Sequence, residues 1–175
     1  MSLWRSDKAR DRLIAVLLML GAALYYLAYV RYGINLADDG FFMNRSERVL
    51  RGERVFADFH THYTPGSYYL AAVLFKLFGA DLWTARWMWF ALRVLTAGLL
   101  YLVARRVTGR VGAIAAAAVA TLVPGHWHKT YFLFLPLLNL ECAFRYYDGR
   151  RARWLLALGA STALGALFLT DFGLA

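Results

Sequence analysis

Long apolar runs separated by short polar clusters set the pattern of this chain. Five of them, at 13–30, 86–104, 109–125, 130–146 and 154–171, approach the roughly 20 apolar residues that a helix needs to cross a bilayer. A sixth run, 67–78, is short, carries Lys76 and has polar flanks. It predicts an amphipathic surface helix rather than a crossing. The expected fold is therefore all-α: a polytopic membrane helix bundle of about five transmembrane helices, with surface helices in one long outer loop at 31–85.

Charge placement orients these spans. Segments on the N-terminal side hold Arg5, Lys8, Arg10, Arg12, Arg105, Arg106, Arg110, Arg145, Arg150, Arg151 and Arg153, against Asp7, Asp11 and Asp148. The loop at 31–85 is balanced, with Arg31, Arg45, Arg48, Arg51, Arg54 and Lys76 against Asp38, Asp39, Glu47, Glu53, Asp58 and Asp81. Basic loops stay in the cytoplasm, so the N-terminus is expected inside. A sixth span would put the Arg105 and Arg145 clusters outside. The first span reads as a signal anchor, because its apolar stretch is long for a cleaved leader and Tyr25-Tyr26 stands where small residues are wanted.

Composition agrees. Apolar residues make up 61% and charged residues 18%, against about 45–50% and about 25% in soluble domains, and mean hydropathy is +0.45. A soluble domain, a disordered chain and a disulfide scaffold are thereby excluded; the single cysteine, Cys142, is a packing residue. The net charge of +9 is spread between spans, not gathered in a basic aromatic stripe, so nucleic acid is not an expected partner.

The outer loop carries the candidate chemistry. Asp38 and Asp39 follow the first span closely, where partial desolvation suits a group that accepts a proton; two solvated turn residues are the competing reading. Asn44 and Glu47 suggest a capping box, with Gly52 as C-cap, predicting a short surface helix over 45–51. Asp58, His60 and His62 are two apart in series, which leaves a divalent metal open but equally suits hydrogen bonds to a phosphate or sugar. Within the spans, Arg93 is expected to snorkel outward along one face with Arg86. Glu141 is expected to pair with Arg145, and Pro136 to kink its helix. Ala113–Ala120 and Gly159, Ala163 and Gly165 read as small-residue packing faces. Trp83, Trp87, Trp89, Trp127 and Trp154 read as an aromatic belt.

In order along the chain, Asp38-Asp39-Gly40-Phe41-Phe42, Arg48-Val49-Leu50-Arg51-Gly52-Glu53, Val55-Phe56-Ala57-Asp58-Phe59, Tyr63-Thr64-Pro65-Gly66 with Tyr68-Tyr69-Leu70, and Phe75-Lys76-Leu77-Phe78-Gly79 resemble the N-terminal part of GT-C-type membrane glycosyltransferases. These use polyprenyl-phosphate sugars and include protein mannosyltransferases and aminoarabinose transferases. The resemblance implies an inverting transfer from a polyprenyl-phosphate-linked sugar to an acceptor on the outer face of a membrane, such as the bacterial inner membrane. It implies Asp38, with Asp39, as the catalytic carboxylates, Asp38 being the base. It also implies donor-binding groups drawn from His60, His62, Tyr63, Arg86, His126, His128 and Lys129, since a leaving phosphate needs cationic or hydrogen-bonding partners.

The chain departs from the family pattern in four places. Asp39 stands where Glu is commoner, and the 125–129 segment lacks the acid that relatives often carry there. Asp171 occupies a later position that is often basic or amidic. Relatives also run on through further spans, so a truncated chain is expected. A non-catalytic remnant or subunit that binds lipid phosphate or a partner protein is the alternative, and a small transporter a weaker one, for lack of facing ionisable pairs or an inverted repeat.

Overall fold

The computed structural model describes residues 8–61, 63–123 and 126–168. Among them the chain is all-helical, with seven α-helices and one 3₁₀ turn: α1 (Lys8–Tyr29), α2 (Leu36–Leu50), α3 (Gly66–Phe78), α4 (Leu82–Val107), α5 (Arg110–Leu122), the turn Trp127–Lys129, α6 (Tyr131–Gly149) and α7 (Ala152–Phe168). By length and composition α1 and α4 can cross a membrane; α3, α5 and α7 are shorter apolar helices.

The long helix α4 is central. It packs against α1 on one side, α5 on another and α6 on a third, while α7 leans on α6 and α2 on α3. Small residues let the backbones approach. Ala15 of α1, Ala113 and Ala117 of α5 and Tyr101 of α4 form one buried cluster. Gly98 of α4 faces Met19, whose sulfur would lie 2.6 Å from an added Cβ. The opposite faces are apolar and bare: Leu13, Leu17, Leu20 and Leu24 on α1 are each more than half exposed. A helix that buries alanine and displays leucine is built for an apolar surrounding, where close packing and not leucine burial drives association.

The other core lies at the opposite end, where Tyr26, Phe42, Tyr68, Phe75, Trp89 and Trp127 join. Trp89 is fully buried and rests 4.8 Å from the Phe42 ring. Trp89 and Trp127 thus correct the aromatic-belt expectation: they pack inside, while Trp83 and Trp87 remain exposed.

Two other local readings change. The short helix expected over 45–51 is the last part of the longer α2, whose N-cap is Asn35 and not Asn44. Arg45 and Arg48 lie 4.4 Å from the Phe41 ring and 4.5 Å from the Phe59 ring, so their stems and guanidinium faces cover aromatics. Arg86 and Arg93 do not snorkel outward: Arg86 is 1% exposed, and Arg93 stacks on Tyr26 and Trp127 while its Nε donates to Thr130 Oγ1.

The end bearing the N-terminus of α1 is tied by two buried acids. Asp11 accepts from Tyr101 and Arg110, with Arg105 3.4 Å away. Glu141 accepts from Arg145, as expected, and also from Arg106. Each buried carboxylate is thus bracketed by cations, which offsets its desolvation.

Candidate active site

The polar groups of the other end are organised by the start of α2. Asn35 adopts an extended N-cap conformation and its Oδ1 accepts from the Ala37 and Asp38 amides. The cap also holds both acids. The Asn35 Nδ2 donates to Asp38 Oδ2 at 3.0 Å, and the Asn35 amide donates to Asp39 Oδ2 at 3.1 Å. Both carboxylates therefore sit in the first helical turn, where the helix dipole favours negative charge.

The two acids then part. Asp39 is 4% exposed and its Oδ2 meets Arg86 Nη2 at 2.6 Å. Arg86 also donates from Nη1 and Nη2 to the Tyr32 and Gly33 carbonyls, at 3.2 and 3.0 Å, while its buried Nε has no hydrogen-bond partner. This pair pins the turn after α1 and the start of α2 onto α4. Arg86, expected as an anion ligand, is therefore committed inside the protein. Asp38, with its side chain 39% exposed, points the other way, and His126 Nδ1 lies 3.8 Å from its Oδ2.

Two hollows meet here. A small recess is lined by Asp38, Tyr63, Ser67, Tyr68, His128 and Tyr131. An open cleft of about 530 Å³ runs between the ends of α1 and α5 and the 3₁₀ turn, with Tyr25, Tyr26, Tyr29, Arg93 and His126 among its walls. His128 belongs to both. It is 5% exposed, with its ring edge-on to Tyr63 and Trp89. Burial pushes its pKa below the ordinary 6.5, against the opposing pull of Asp38 and Asp39, so it is neutral near pH 7. A neutral imidazole beside a carboxylate can relay or accept a proton.

Asp38, Asp39, Tyr63, His126 and His128 are thus brought together. His60 is exposed beside Phe56, and Lys129 is exposed on the 3₁₀ turn; neither lines a hollow. His62 and Asp171 lie outside the described residues. Asp58 closes a local turn by accepting from the Arg54 amide at 2.7 Å. Among the described residues no three His, Cys, Asp or Glu side chains converge as metal ligands. Asn35 went unassigned in the sequence reading, and Arg93 was read as snorkelling. An Asn three and four residues before acids at a helix start was a legible cap signal, and for Arg93 the signal was an arginine inside an apolar run.

A helical bundle with apolar outer faces is the build of a membrane protein. Residues 62–174 match the family model of dolichyl-phosphate-mannose-protein mannosyltransferases, and the chain belongs to that family of GT-C-type membrane glycosyltransferases. Asp38 and Asp39 precede the matched stretch. No curated protein and no solved structure matches the chain.

Proposed function

We propose that this chain forms the N-terminal part of an inverting GT-C-type transferase, which moves a sugar from a polyprenyl-phosphate donor to an acceptor on the outer face of the membrane. The observation that carries the reading is the division of the aspartate pair. Asp39 is neutralised by Arg86, whereas Asp38 opens into a recess beside His126 and His128.

In the proposed reaction an acceptor hydroxyl or amide enters beside Asp38. Its proton passes to the Asp38 carboxylate as its lone pair attacks the anomeric carbon. The bond from that carbon to the donor's phosphate oxygen breaks, and the phosphate leaves with the lipid. One displacement inverts the centre. Neutral His128 and the ring of Tyr63 shape the recess, and Lys129, on the same 3₁₀ turn as His128, supplies a positive charge that steadies the leaving phosphate. The orientation follows from charge: α1, α4, α5, α6 and α7 are the five spans, Asn35–Phe78 lies outside, and the N-terminus lies in the cytoplasm with the arginines around Asp11 and Glu141.

The test is Asp38→Asn, purified from membranes and assayed with a polyprenyl-phosphate sugar in proteoliposomes. Transfer is expected to fall by at least about 100-fold, the usual scale for losing a general base, with insertion and melting behaviour retained. Turnover within a few-fold of the parent protein would remove Asp38 from the role of base.

A further inference from the structure

The turn that joins α6 to α7 lies at the opposite end from the Asp38 recess, and it is strongly basic. Arg150, Arg151 and Arg153 stand within four residues and all are exposed. The nearby acids are committed elsewhere. Glu141 accepts from Arg106 and Arg145, and Asp148 lies 2.7 Å from Arg106. Two acids thus face two arginines. Among the described residues no carboxylate pairs with Arg150, Arg151 or Arg153. The turn therefore presents three positive charges without a counter-charge.

Aromatic rings organise these cations. The Arg150 guanidinium stands 5.1 Å from the Tyr147 ring centroid and 5.5 Å from that of Tyr146. Trp154 is shared by Arg145 at 4.7 Å and Arg153 at 5.4 Å. A ring beside the planar group restrains it and leaves its N–H edge to meet phosphate oxygens. The backbone supplies a second observation. Arg150 closes α6 at a φ of 49°, a left-handed conformation that glycine or asparagine ordinarily takes, while Gly149 sits one position earlier within the helix. An arginine standing where glycine would be unstrained indicates a use for its charge.

The surroundings select the kind of anion. Leu155 and Leu156, directly after the arginines, are 51% and 74% exposed, and Tyr147 is exposed as well. Bare leucines next to arginines, a tyrosine and a tryptophan are the profile of the boundary between acyl chains and headgroups. A soluble polyanion would leave the leucines in water, whereas a phospholipid covers both kinds of residue. In the orientation proposed above this end faces the cytoplasmic leaflet, where anionic lipids concentrate and basic segments between helices bind their headgroups.

We infer that the α6–α7 turn binds the headgroup phosphate of an anionic phospholipid, with Arg150, Arg151 and Arg153 as its ligands and Tyr147 and Trp154 bordering the site. This rests on α6 and α7 being spans, and it is independent of the chemistry at the other end.

The test is native mass spectrometry of the full chain, delipidated in a neutral detergent and titrated with phosphatidylglycerol or phosphatidylcholine. Phosphatidylglycerol is expected to bind at least about 10-fold more tightly, the scale for three arginines near a lipid surface. The triple variant Arg150→Gly, Arg151→Gln, Arg153→Gln should remove that preference. A control with the same charge change in the outer segment, Arg31→Gln, Arg51→Gln, Arg54→Gln, should keep it. Arg150→Gly alone relieves the left-handed backbone, so it should melt no earlier than the parent protein yet bind phosphatidylglycerol several-fold more weakly; it decides the matter if the triple variant unfolds. Equal binding of the two lipids would overturn the inference, as would an unchanged preference in the triple variant or an equal loss in the control. Release of the lipid by inorganic phosphate at matching concentration would make this a free-anion site and overturn it too. Asp38→Asn should bind phosphatidylglycerol as the parent does. Transfer retained in Asp38→Asn would sink the transferase reading and leave this site standing, and lipid binding without preference would do the reverse.

Discussion

Adjacent residues on a helix point about 100° apart, as 3.6 residues per turn dictates, and that angle separates Asp38 from Asp39. One turns into the protein to meet Arg86; the other faces the recess. The sequence offered a pair of acids with no sign of which would be buried, because the partner lies far along the chain at position 86. His128 shows the same limit. Its neighbours in sequence, His126 and Lys129, are exposed, yet His128 is buried against Trp89 and Tyr63. Its lowered pKa has a sign that can be tested. Above the ordinary 6.5 both folded and unfolded states keep the ring neutral, and nothing is lost. As pH falls below 6.5 the unfolded chain takes a proton that the folded site resists, so stability declines. Melting followed in detergent between pH 7.5 and 5.5 should therefore drop more for the parent protein than for His128→Gln. Equal slopes would mean that His128 titrates normally in the fold.

Helices were mostly legible because their signals are local. Apolar periodicity located α1, α4, α5, α6 and α7, and the run at 67–78 became α3 with Gly79 at its C-cap, at a φ of 99°. Helix α2 was only half read, since Gly40 and the paired acids look like a turn when taken alone. The Asn35 cap, the dipole and Phe42 packing on Trp89 override that propensity. Glycines separate the two kinds of position. At Gly66 an added Cβ would lie 2.6 Å from the Leu167 carbonyl oxygen and 2.8 Å from the Phe168 ring, because α3 lies directly on α7. At Gly40 nothing lies within 4 Å. Gly66→Ala is expected to destabilise by about 1–3 kcal/mol, the scale of overpacking. Gly40→Ala should be neutral or stabilise by up to about 1 kcal/mol through helix propensity. Denaturation in mixed micelles measures both, and the same effect at the two sites would refute the close approach of α3 to α7.

At the scale of the molecule, the Arg86–Asp39 bond joins the outer segment to the bundle. The two side chains are 1% and 6% exposed, so removing either leaves a buried charge without its partner. Arg86→Gln or Asp39→Asn should cost about 3–5 kcal/mol, whereas Arg86→Met with Asp39→Leu should cost much less than the sum. A double-mutant cycle on unfolding free energy measures the coupling; additive losses would show that the two do not act as a pair. The same bond fixes the first turn of α2, and so Asp38, against α4, which packs on α1, α5 and α6.

The amino-acid sequence by itself determined the helical class, the number and approximate bounds of the apolar elements, and the concentration of basic residues at one end. These follow from periodicity, length and charge, which are properties of neighbouring residues. It also carried the family resemblance that the match over 62–174 bears out. Only the tertiary structure decided the partners: Arg86 with Asp39, Arg106 with Glu141, Arg93 with Trp127, and His128 between two hollows. Each contact joins residues from different helices, and which of them meet depends on how the helices rotate and cross. That rotation is set by the small-residue contacts of α1, α4 and α5 and by the aromatic core around Trp89, a collective packing result that no window along the chain contains.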